Sequence, residues 1–116
     1  MLLRIFALCL LAVAVLCATA FAGPNLSGNW HASAMGASVD ATMHQKGENL
    51  DGVAYVRGPG GKKGTYHFKG VVSGGTISAA HHSGHRFSGK VLNYDKINGV
   101  ITTRGGQSMP VQLTRR

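Results

Sequence analysis

Beyond residue 17 the chain has no cysteine; its two, Cys9 and Cys17, lie within the first 22 residues. If that stretch is removed, what remains holds neither a disulfide framework nor a thiol nucleophile. Acids are scarce as well. Asp40, Glu48, Asp51 and Asp95 stand against twelve Lys and Arg residues, and each falls at a turn or an outward position, with no spacing that pairs two carboxylates for acid–base chemistry. A Ser-His-Asp constellation is set by geometry, and nothing in the sequence marks one serine above the others. No segment after residue 22 carries a helical period, so no glycine-rich loop leads into a helix N-terminus that would hold a phosphate. A protein that is not an enzyme is expected. After residue 22 aromatic residues are thinly spread (Trp30, Tyr55, Tyr66, Phe68, Phe87 and Tyr94) and basic residues are dispersed, which is not the pattern of a nucleic-acid reader.

What is present begins with Met1–Ala22. Arg4 precedes an apolar run that ends in Ala20-Phe21-Ala22, an A-x-A cleavage pattern, so residues 1–22 are expected to be a secretory signal removed before Gly23. The rival reading is an uncleaved membrane anchor, because the run approaches spanning length. Both cysteines follow leucine rather than a small residue, which disfavours a lipoprotein. Cleavage leaves a single domain, 23–116, exported to a periplasm or secreted, with no transmembrane segment. Arg4 belongs to the leader, so the domain keeps eleven of the twelve basic residues and all four acids. Such an excess favours solubility and attraction to anionic envelope polymers. A domain of this length without disulfides depends on one compact core or a bound partner.

The stretch Gly64–Val91 holds four of the six histidines and sets the pattern for the rest. In VVSGGTI, placing Ser73 opposite Thr76 leaves Gly74-Gly75 as a type I′ turn, in which both central residues need positive φ. Val72 then faces Ile77, Gly70 faces Ala79 and Phe68 faces His81. In AHHSGHRF a three-residue loop, His82-Ser83-Gly84, sets His81 against His85, Ala79 against Phe87 and Ile77 against Gly89, keeping apolar residues on one face. Alternation of period two recurs over 26–34, 39–45, 50–56, 66–72, 77–81, 85–91, 97–103 and 109–113, with turn residues between. This predicts an all-β fold: eight antiparallel strands in a small up-and-down meander barrel, with a β-sandwich as the alternative. Trp30, Phe68, Ile77, Phe87, Ile101, Val111 and Leu113 are expected inside. Pro110 removes a ladder donor, so a bulge or gap is expected near it.

Five segments share the form apolar-x-Gly: LSGNW, LDGVA, FKGVV, FSGKV and INGVI. Gly89 is expected opposite Gly99, and Gly52 opposite Gly70. Two readings stay open, that these inward glycines clear space for a ligand, or that they let strands bend enough to close a barrel.

Residues 26–56, LSGNWHASAMGASVDATMHQKGENLDGVAYV, resemble the first three strands of avidin-like barrels within the wider lipocalin-like group, where a Leu-x-Gly-x-Trp strand leads into a hairpin and a Gly-x-x-Tyr strand. The resemblance implies an eight-stranded barrel with Trp30 closing one end. The family's biotin pocket uses further tryptophans, whereas Trp30 is the only one in this chain, so the barrel is implied and biotin is not.

Candidate site residues follow from the registers. His81 and His85 are expected as an inward pair at one barrel mouth, flanked by Tyr66 and Phe68, with His67 and His82 outside. These four inward residues are the expected ligand-binding group, one imidazole holding a polar end and the aromatics covering an apolar face. Opposed strand histidines also suit a divalent transition metal, so His81 and His85 are candidate metal ligands; two imidazoles alone leave such a site incomplete. Arg57, Lys62 and Lys63 lie in the flexible loop 57–64 and are candidate anion-binding residues. The expected function is an exported binding barrel for a small molecule or an envelope partner. A metal-handling protein and a structural or inhibitory envelope protein are the alternatives.

Overall fold

A computed structural model describes residues 23–34 and 36–116; the leader expected over 1–22 lies outside the described residues. Eight strands follow one another: β1 (Gly28–Ala34), β2 (Ala37–Lys46), β3 (Asn49–Arg57), β4 (Lys63–Ser73), β5 (Thr76–Ala80), β6 (Arg86–Asn93), β7 (Lys96–Thr102) and β8 (Ser108–Arg115). Each pairs antiparallel with its neighbour, and β8 returns to β1, closing the barrel. The only helical element among the described residues is a single 3₁₀ turn, Pro59–Gly61. No described helix is long and apolar enough to cross a membrane.

The turn chemistry sets the registers that alternation demands. Gly74 and Gly75 take φ of 58° and 78°, and β4 pairs with β5 through Val72↔Ile77 and Gly70↔Ala79. Gly84, at φ 100°, ends the next loop; the His81 amide donates to the His85 carbonyl at 2.9 Å, and Ile77↔Gly89 and Ala79↔Phe87 follow. Gly89 lies opposite Gly99.

Three details differ from expectation. Gly52 faces Phe68, and Gly70 faces Leu50, so the two glycines are not opposed. The β6–β7 register shifts between Val91 and Asn93, which alternation did not anticipate, while Pro110 pairs in register with Val100 and meets the expected gap on its other side, toward β1. The β1–β8 seam explains the tolerance: it holds only Trp30↔Arg115 and His31↔Thr114, so Pro110 sits on a strand edge that β1 has already left. The β4–β5 ladder also stops at Lys69↔Ala80, before Phe68 and His81 can pair.

Apolar side chains alternate inward and make two zones. At the end carrying the Gly47, Gly74-Gly75 and Tyr94-Asp95 turns, Leu26, Trp30, Ile77 and Ile97 are fully buried. This end is sealed. The Trp30 indole N–H donates to the Leu26 carbonyl at 2.9 Å, and the Arg115 guanidinium lies between the Trp30 and Tyr94 rings, 4.5 and 4.2 Å from their centroids. Its three nitrogens donate to the carbonyls of Tyr94, Ser27 and Asn25 at 2.8, 2.9 and 2.8 Å. A planar, weakly hydrated cation with donors in a fixed fork suits that position; an ammonium would not span it.

Toward the other end Phe68, Phe87 and Ile101 are half-buried. Three of the inward glycines, Gly52, Gly89 and Gly99, lie beneath two of these side chains, whereas Gly70 lies against the Ser78 carbonyl and Ala79 of the neighbouring strand. A Cβ at Gly52 would overlap the Thr42 carbonyl of β2 and come within 2.7 Å of the Phe68 ring; one at Gly89 would sit 2.9 Å from Phe87, and one at Gly99 would overlap the same ring. Glycine lets an aromatic ring lie flat on the wall. The rings, rather than a ligand, occupy the space these glycines clear.

Candidate functional site

The end opposite Trp30 is open. A cavity of about 280 Å³ enters the barrel there. Ala32, Val39, Ala41 and Met43 from β1 and β2, Ala54 and Val56 from β3, Phe68, Ala79 and Phe87 form much of its wall, with Ile101, Met109, Val111 and Leu113 opposite. Alanines at 32, 41, 54 and 79 alternate in this wall with larger apolar side chains such as Phe68, Phe87 and Ile101. Polar side chains reach it only at the rim: Tyr66, His81, His85, Arg86 and Thr103. All four expected ligand-binding residues, His81, His85, Tyr66 and Phe68, therefore border one cavity.

The rim is an aromatic group with defined tautomers. Tyr66 stands edge-on to both imidazoles, its ring centroid 5.2 Å from that of His81 at 79° and 5.6 Å from that of His85 at 77°. The two imidazoles are nearly parallel at 6.4 Å. His81 Nδ1 accepts from the Ser83 amide at 3.2 Å and lies 2.7 Å from the Ser83 hydroxyl. His85 Nδ1 accepts from the Arg104 amide at 3.2 Å. In its neutral form each ring thus carries the proton on Nε2, and neither Nε2 has a hydrogen-bond partner among the described residues. His81 is held below the ordinary imidazole value, first by partial burial and then by repulsion from His82, His85 and His67. At neutral pH it is an uncharged donor.

The same tautomers bear on metal binding. A metal on Nε2 requires the proton on Nδ1, where both rings now accept a backbone N–H. Among the described residues no group of three or more His, Cys, Asp or Glu side chains could hold a metal ion. His81 and His85 are adjacent as expected, but the local hydrogen bonds prepare them to donate rather than to ligate.

His67 and His82 lie outside, as their alternation requires, in a groove shared with His44 and Asp51. Arg57 borders a depression of about 580 Å³ with Gly58, Gly60, Gly61, Ser33 and Ser38, formed between hairpin tips outside the barrel. Lys62 and Lys63 are exposed beside it, Lys63 directly across from Arg57. These three form a basic edge near the mouth without lining the cavity.

Sequence reading missed Arg86, Thr103, Ser83 and Arg104. Arg86 alternates outward, yet it borders the cavity because β5 leaves β4 after Ala80 and opens the wall. Ser83 and Arg104 act through backbone amides that no residue-type pattern marks. A cross-strand ladder was also missed: His31 Nδ1 is 2.7 Å from Asp40 Oδ1, and His31 Nε2 is 3.1 Å from Ser33 Oγ. The His31–Asp40 pair is 26 % and 54 % exposed, and Asp40 also lies 3.7 Å from Arg116. In water such a pair is worth about 1 kcal/mol or less. On this outer wall it stabilises the β1–β2 pairing; a Ser33 hydroxyl there meets a substrate in competition with bulk water.

Compared with known proteins, the chain matches no family model, and no curated protein is similar to it.

Proposed function

We propose that this protein is an exported, non-catalytic binding barrel that takes a small, largely apolar ligand through the mouth marked by the His82–Gly84 turn. The observation that carries this reading is the cavity of about 280 Å³, apolar along its depth and polar only at its rim. An apolar cavity of about 150 Å³ is enough for benzene, so this one suits a body of roughly two fused six-membered rings. The ligand's apolar part packs among Ala54, Phe68, Phe87 and Ile101, and its polar end meets the free Nε2–H of His81 or His85. The likeness of residues 26–56 to avidin-like and lipocalin-like barrels supports binding over catalysis, and the signal-like pattern of residues 1–22 supports a periplasmic or secreted location.

The test uses 2-naphthylmethanol as probe. Titration followed by amide chemical shifts is expected to move His81, His85 and Tyr66 and to leave Gln45 and Asn49, at the sealed end, unmoved. Ala54→Phe fills the cavity and is expected to abolish those shifts in a protein whose circular dichroism is unchanged. Shifts confined to Gln45 and Asn49, or shifts that persist in Ala54→Phe, would place the site elsewhere.

A further inference from the structure

The two ends of the barrel differ in charge as well as in closure. Around the mouth the described residues place Arg57, Lys62 and Lys63 in and beside the β3–β4 loop, Arg86 at the start of β6 and Arg104 in the β7–β8 loop. No acid accompanies them. Glu48 and Asp95 sit in turns at the sealed end, and Asp51 lies two residues into β3 from that end. Asp40 is on the outer wall, engaged by His31 and Arg116. The sealed end is mixed, with Lys46, Lys96, Arg115 and Arg116 among its acids. Only the open end has one sign.

One mouth cation borders the cavity, and a second packs over the turn beside it. Arg86 borders the cavity directly. Arg104 packs over the mouth turn, with its Cγ 3.2 Å from where a Cβ would stand on Gly84, and its amide fixes the His85 ring. Neither guanidinium has a carboxylate partner among the described residues. Beside them stand the two imidazoles with unpartnered Nε2–H donors. Every polar group known to face an entering molecule at this rim, apart from the Tyr66 and Thr103 hydroxyls, is therefore a donor or a positive charge.

We infer that the ligand is an amphipathic organic anion: an apolar body of about two fused rings in the cavity, with one carboxylate-like head at the rim between the imidazole donors and the Arg86 and Arg104 guanidiniums. This inference rests on the binding-barrel reading above and names the chemical class that the barrel takes. A neutral molecule of the same shape fills the apolar space equally well but leaves the donors and cations at the rim without an acceptor. An ammonium of the same shape is repelled by them. Discrimination thus lies in the head group, and depth of insertion is set by the apolar body.

Three probes with one body separate the possibilities: 2-naphthoate, 2-naphthylmethanol and 2-naphthylmethylammonium, titrated into the purified protein at low and at moderate salt. The carboxylate is expected to bind about tenfold more tightly than the alcohol, from two mouth cations each contributing at the exposed-pair scale, and the ammonium more weakly than the alcohol. Added salt is expected to narrow the gap. In the Arg86→Gln/Arg104→Gln variant the carboxylate-to-alcohol ratio falls toward one. A Lys46→Gln/Lys96→Gln variant, which removes equal charge from the sealed end, keeps the wild-type ratio. Equal affinity for carboxylate and alcohol, preference for the ammonium, or equal loss of preference in both variants would overturn the anion assignment while leaving the binding barrel intact. If the alcohol and the carboxylate both fail to bind, the binding-barrel reading itself falls, and this inference with it.

Discussion

Replacing Gly89 with alanine tests whether the inward glycines exist to bed the aromatic rings. Gly89 is buried, and a Cβ built on it would stand 2.9 Å from two atoms of the Phe87 ring and 3.1 Å from the Asn98 carbonyl oxygen. Carbon atoms in ordinary contact are about 3.5–4.0 Å apart. The ring therefore has to retreat by roughly 0.5–1 Å, and the direction open to it is into the cavity. Overpacking of this kind costs about 1–3 kcal/mol, and alanine recovers about 0.5–1 kcal/mol of that because it is easier than glycine to order in a strand. The net expectation for Gly89→Ala is a loss of about 1–2 kcal/mol. In a Phe87→Leu background the same methyl meets no ring edge and should cost almost nothing. The coupling energy between the two sites should thus be about 1–2 kcal/mol, above the scatter of about 0.5 kcal/mol for independent sites. Urea unfolding of the wild type, both single variants and the double variant, compared at equal m-value, measures it. If Gly89→Ala costs the same in both backgrounds, the methyl is working against the Asn98 backbone, and the glycines serve strand curvature instead.

Arg115→Lys and Arg115→Ala should each lose about 2–3 kcal/mol in the same assay, because neither replacement can bridge the three carbonyls or lie between Trp30 and Tyr94; a lysine variant as stable as wild type would show that charge alone closes the barrel. Ile97→Ala, at a fully buried site, should cost about 2–5 kcal/mol, whereas Ile101→Ala, on the cavity wall, should cost clearly less because it leaves fewer packed contacts unfilled; equal losses would mean that the cavity is closed in solution. The folded His81 takes up a proton less readily than the unfolded one, so its contribution to stability is present above pH 6.5 and is lost as the pH falls below that value. Unfolding curves across about pH 5 to 8 should show the decline, and His81→Gln should flatten it; an unchanged profile in that variant would assign the acid sensitivity to other groups.

Alternation and turn chemistry determined the fold from sequence alone. A period of two leaves one apolar face on each of eight strands, and slipping a strand by one residue would expose it, so Gly74-Gly75 and Gly84 fix registers that admit little else. The pairing of Val72 with Ile77 and of His81 with His85 was legible for that reason, as was the meeting of Tyr66, Phe68, His81 and His85 at one mouth. Three things were decided only by tertiary structure. Arg115 closes the barrel from the far end of the chain, 88 and 90 residues from the carbonyls of Ser27 and Asn25, a contact no local pattern encodes. Arg86 reaches the rim because the β4–β5 ladder ends early, and ladder length follows from barrel curvature rather than from residue type. Last, the same inward Gly and Ala pattern is compatible with a filled or a hollow barrel. Gly52, Gly89 and Gly99 are covered because the Phe68 and Phe87 rings lie against them, while Ala32, Ala41 and Ala54 of β1–β3 line the cavity.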